Sequence, residues 1–139
     1  MQYKIIIKPD YTNVLDVGLW LDPDNEVIKY FFAEIRLKNF PELFDNILNG
    51  HGFAEEMAIV FLYSDLDEGD IATGNDFEED EVELYHRMVG SVIIKASLFK
   101  QILFDYTNKI LEVYKDSKEV PVEWSSVMKE KLELLKKEL

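Results

Sequence analysis

The side chains of this sequence best able to do chemistry are the carboxylates between Tyr63 and Tyr85. The stretch YSDLDEGDIATGNDFEEDEVELY holds ten Asp and Glu in 23 positions and no Lys or Arg. Carboxylates at such density can chelate a hard cation, work in pairs as acid and base, or present a negative field to a cationic partner. The calcium reading centres on Asp65, Asp67, Glu68, Asp70 and Asp76. An EF-hand loop wants oxygen ligands at positions one, three and five, glycine at six and a bidentate Glu at twelve. Counted from Asp65, Gly69 falls at five, Asp70 at six and Asp76 at twelve, so the glycine is one place early and the closing side chain is short. Catalytic signals are sparse. There is no cysteine, and the two histidines, His51 in NGHGF and His86 at the end of an alternating run, have no recognisable nucleophile to activate and no second His at zinc-ligand spacing. Phosphate-cradling glycine loops, dinucleotide fingerprints and metalloprotease motifs are missing, so no cofactor is expected. A hydrolase built on a carboxylate pair stays open as an alternative, because 28 acids offer more pairs than a sequence can rank.

The charge is regional. Residues 1–38 carry six acids and five bases, residues 87–139 eight acids and ten bases, and residues 39–86 fourteen acids and no Lys or Arg, which together give the net charge of -13. A phosphate polymer would be repelled by that middle segment, which argues against nucleic acid as partner. A cationic protein would be drawn to it. The bland alternative is a solvated acidic loop, but Phe77 lies within the run and Tyr63 and Tyr85 flank it. These aromatics are either anchors for a partner or, for Phe77, a plug that pins the loop to the core.

The elements that must hold this segment are legible from periodicity. YKIIIK (3–8) and VLDVGLWL (14–21) read as a hairpin, ended by the turn chemistry of DPDN. Residues 26–37 place Ile28, Phe31, Phe32 and Ile35 on one helical face behind Asp24 or Asn25 as cap. Asn39 as cap, Pro41 in the first turn, an apolar stripe from Phe40 to Leu48 and Gly50 at the end predict a second helix. MAIVFLY (57–63) reads as a central strand covered on both faces. EVELYH (81–86) and SVIIK (91–95) form a second hairpin, and Ser97 caps a long helix with Phe99, Leu103, Tyr106, Ile110 and Val113 inward. A last helix spans Pro121 to Lys137, with Trp124, Val127, Met128, Leu132 and Leu135 inward. The fold class expected is α+β: a single domain, 1–139, with a mixed or antiparallel sheet, one or two hairpins and three to four helices. At 47% hydrophobic the chain should fold, and with no signal-like or membrane-length apolar run it reads as a soluble cytoplasmic protein without a membrane partner.

The order NFPELFDNILNGHGF, MAIVFLY, FEEDEVELY and SVIIKASLFKQILFDYTNKILEVY resembles the immunity proteins of contact-dependent growth-inhibition systems, nearest the group paired with EndoU-like ribonuclease toxins. Gly50, Gly52 and Phe53 match that group's glycine-rich turn, Phe77, Glu78 and Glu81 its acidic motif, and Ser97 the helix start after the hairpin. Glu79 and Asp80 stand where the pattern has Gly and Val, and the likeness spans about residues 38–115. A weaker likeness, carried by FPELFDNILNGHG, is to SMI1/KNR4-type immunity proteins. The resemblance implies a non-enzymatic antitoxin, monomeric in its complex, that binds a basic nuclease domain, with the RNase substrate class carried by analogy alone. The expected contact residues are Asp65, Asp67, Glu68, Asp70, Asp76, Phe77, Glu78, Glu79, Asp80, Glu81 and Tyr85. The rival reading from another class is a calcium-binding module on Asp65–Asp76.

Overall fold

The computed structural model describes residues 1–139. Strands β1 (Gln2–Ile7) and β2 (Val17–Asp22) pair antiparallel in a two-stranded sheet, with Lys4 opposite Trp20 and Ile5 opposite Leu19. Helix α1 (Glu26–Ala33) follows, its N-terminus capped by Asn25, whose Oδ1 accepts the Ile28 N–H at 3.0 Å. Helix α2 (Phe40–Leu48) leads to β3 (Phe53–Ala54), β4 (Ala58–Leu62), the short helix α3 (Glu68–Ala72), β5 (Glu81–His86) and β6 (Gly90–Lys95). These four strands form an antiparallel sheet in the order β3-β4-β5-β6. Helices α4 (Ala96–Tyr114) and α5 (Trp124–Lys136) complete an α+β architecture with five helices, the shortest lying within the acidic segment.

Strand alternation and helical stripes converge on one cluster of 30 buried residues. Val82 and Leu84 of β5 point inward with Val60 of β4 and Ile94 of β6, against Phe31 and Phe32 of α1 and Phe99 and Leu103 of α4. Tyr106 lies fully buried among Phe32 and Phe40, and its hydroxyl donates toward the carbonyls of Val17 at 2.9 Å and Phe32 at 3.3 Å. That polar tip ties α4 to the first hairpin and to α1, and burial pushes its ionisation well above the ordinary tyrosine range.

Four local expectations need correction. Asn39 does not cap α2: residues Leu37–Asn39 already form a 3-10 turn, so its backbone is helical, and its amide donates instead to Glu55 Oε1 at 2.8 Å. Ser97 does not cap α4, because β6 runs straight into the helix and the Ala96 N–H goes to the Asp80 carbonyl at 2.8 Å. Val113 points to solvent, and the buried stripe turns instead through Ile102, Thr107 and Leu111. Strand β4 is central but covered on one face only: Val60 is buried, whereas Phe61 is 37% exposed and Ile59 half-buried. No helix is long and apolar enough to cross a membrane.

Candidate protein-interaction surface

The acidic segment is folded onto the sheet by its own carboxylates. After β4, Tyr63–Asp65 make one 3-10 turn in which Asp65 Oδ2 accepts the Leu62 N–H at 2.7 Å. Asp67 and Asp70 then form a reciprocal capping box at the start of α3, Asp67 Oδ1 taking the Asp70 N–H at 2.8 Å and Asp70 Oδ2 the Asp67 N–H at 3.0 Å. Beyond Gly74, whose φ of +76° ends the helix, Phe77 turns inward and is only 7% exposed. Glu81 Oε1 accepts the Glu78 N–H at 2.9 Å, and Asp80 pairs with Lys95 at 2.9 Å. The Lys95 ammonium holds the Asp80 carboxyl below the usual carboxylate range.

The glycine-rich turn before β3 supports the other end. Gly50 has φ +77°, as the exit of α2 requires. At Gly52 an added Cβ would lie 2.3 Å from the Val60 carbonyl and 2.6 Å from Asp65 Oδ2, so only glycine permits this approach of turn, strand and acidic segment. Asn46 donates to the Gly52 carbonyl at 2.9 Å, Ser64 to that of Gly50, and Phe53 is buried behind the turn.

The structure thus divides the expected contact residues. Asp65, Asp67, Asp70 and Glu81 are engaged in backbone capping and Asp80 in an ion pair, while Glu68, Asp76, Glu78 and Glu79 point exposed carboxylates to solvent with no shown side-chain partner. Phe77 is buried and, at 7% exposed, offers a partner almost no area, although it lies apart from the main core cluster. Tyr85 is half-buried on the outer face of β5. The calcium alternative gains no geometry: no group of three His, Cys, Asp or Glu side chains comes together to hold a metal, and Asp67 and Asp70 hold each other's backbone instead.

The outer face of the four-stranded sheet was missed by sequence reasoning. Register places Phe61, Glu83 and Ile93 side by side across β4, β5 and β6, with Ile59, Tyr85 and Ser91 in the next row. Ile93 is 44% exposed. Helices α1 and α4 pack against the sheet, only the short α3 approaches these rows, with Asp70 near Glu83, and a shallow groove of about 320 Å³ runs beside them between His51, Ile59, Phe61 and Asp65. The alternation of EVELYH carried the signal, because Glu81, Glu83 and Tyr85 must share a face if Val82 and Leu84 are buried.

Nothing among curated proteins or solved structures matches this chain. A family model described as CDI immunity protein matches residues 24–123, a span from the N-cap region of α1 through the glycine-rich turn, the four-stranded sheet, the acidic segment and α4. That family's description implies an immunity role, the binding of a cognate toxin. The chain belongs to the CDI immunity protein family.

Proposed function

We infer that this chain neutralises a basic nuclease toxin, of RNase type, by docking the acidic segment and the sheet beside it over the toxin's cationic cleft. The observation that carries the reading is the regional charge: fourteen acids and no Lys or Arg in residues 39–86. Substrate-binding clefts of nucleases must attract phosphates, so a carboxylate array competes for the same field. Order in the segment favours the reading, because caps and the burial of Phe77 fix the carboxylates before binding and reduce the entropy lost on association. The protein acts as a monomer in the cytoplasm, where the toxin would otherwise reach RNA.

The test is titration of a basic RNase toxin domain, taken from the gene neighbouring this chain's where one is found, with wild-type protein and with a triple variant, Glu68→Lys, Asp76→Lys and Glu79→Lys. None of these side chains shows a cap or an ion pair within the chain. Toxin binding should weaken by about tenfold or more, since each exposed pair contributes roughly 0.2–1 kcal/mol and reversal replaces attraction by repulsion. Failure of wild-type protein to bind the domain or to suppress its RNA cleavage would refute the function.

A further inference from the structure

We propose that the centre of the toxin interface is the partly exposed outer face of the four-stranded sheet beside α3, where Glu83 between Phe61 and Ile93 receives an arginine of the toxin. This rests on the antitoxin reading above and adds the place and the chemistry of recognition.

Three observations converge. First, Phe61 and Ile93 are 37% and 44% exposed and stand directly opposite Glu83 on its two neighbouring strands. Such side chains gain by being covered. Second, Glu83 lies half-buried between them, with no cation or hydrogen-bond donor of the chain to balance it. Burial, and after it the charge of Asp70, raise the carboxyl above its usual range. Lys95, the nearest basic residue by register, pairs with Asp80 and lies opposite Glu81. Third, the surroundings are acidic: Glu81 lies on the same face, and Asp65 lines the adjoining groove.

These features select among occupants. A second copy of the chain would bring Glu83 and Asp70 against like charges, which opposes self-pairing through this face. A purely apolar partner would bury Glu83 uncompensated. A basic segment satisfies both halves. Arginine fits better than lysine, because its planar fork can meet the carboxylate while its faces lie on Phe61 or Tyr85 and the aliphatic Ile93. The loop carboxylates then form the rim of the interface and this row its desolvated centre.

The experiment measures affinity of full-length variants for the same toxin domain by calorimetry, with circular dichroism to establish folding. Phe61→Ala, Ile93→Ser and Glu83→Gln should each weaken binding by about tenfold or more, as central contacts do. Ile93 and Glu83 line the outer face, so those two variants keep the test valid if Phe61→Ala misfolds. If folded Ile93→Ser and Glu83→Gln bind like wild type while the triple loop variant binds weakly, this inference is overturned and the antitoxin reading stands. A dimer in sedimentation that Ile93→Ser dissolves would overturn it in favour of a second copy. If wild-type protein binds no toxin domain, the antitoxin reading fails first.

Discussion

On the outer face of the sheet, Glu83 is flanked by Phe61 and Ile93 and shares its neighbourhood with Asp70, an environment that disfavours its ionised form. The folded chain therefore holds this proton more tightly than the unfolded chain does. Wild-type stability should fall as pH climbs from the usual value of 4.5 through the raised one, because ionisation costs more in the fold. Gln does not ionise, so Glu83→Gln should melt near the wild-type temperature at about pH 4 and above it at pH 7, as checked by thermal denaturation across that range. The same substitution weakens toxin binding if the interface is centred there. A gain in stability with a loss of binding marks a residue kept for its partner rather than for the fold. Asp80 shows the opposite arrangement, its carboxyl lowered by the Lys95 ammonium, although both groups lie in solvent and contribute little to stability.

At the scale of elements, the acidic segment depends on α3, which has only five residues and could not persist without its capping box. Asp67→Ala should cost about 1 kcal/mol locally. Amide exchange over residues 67–75 should quicken while the sheet and α4 remain protected, and uniform protection would show that the box is dispensable. Much of this level was legible in the sequence. Both hairpins, α1 with its Asn25 cap, α2 ending at Gly50, and α4 and α5 follow from periodicity and terminal residues. What escaped was decided by neighbours in space. The apolar run of β4 suggests two covered faces, yet only the short α3 comes near the outer one, and the register with Glu83 and Ile93 reveals a partly exposed row. Acids that look alike in a string divide into caps, an ion-paired group and unpaired carboxylates only once the turns are built. Phe77 has the same composition signal whether anchor or plug, and its burial follows from the path of the chain between α3 and β5.

For the whole molecule, residues 39–86 carry one sign of charge along the sequence, and although Lys131 and Lys95 offset Asp45 and Asp80 in the fold, the remaining carboxylates can act beyond contact distance. Long-range attraction governs encounter, while close contacts govern residence. Stopped-flow measurement should find the association rate constant with the toxin domain falling steeply between about 50 and 500 mM salt, with the dissociation rate changing far less, since the Debye length shrinks from over 10 Å toward a few ångströms. Equal salt sensitivity of both rates would place the charges inside the contact rather than around it. Tyr106 carries a different lesson about the extent of the cooperative unit. Its hydroxyl reaches the Val17 carbonyl, and Trp124 Nε1–H donates to the Leu37 carbonyl at 3.2 Å, so residues on both sides of the family match seal its interior. A fragment cut to residues 24–123 would lose Val17 and Trp124 from the core and leave the Tyr106 hydroxyl only its longer bond to the Phe32 carbonyl. The recurring part of this protein, recognisable by comparison, therefore borrows part of its interior lining from both flanks, which become as much a condition of rescue as the surface that meets the toxin.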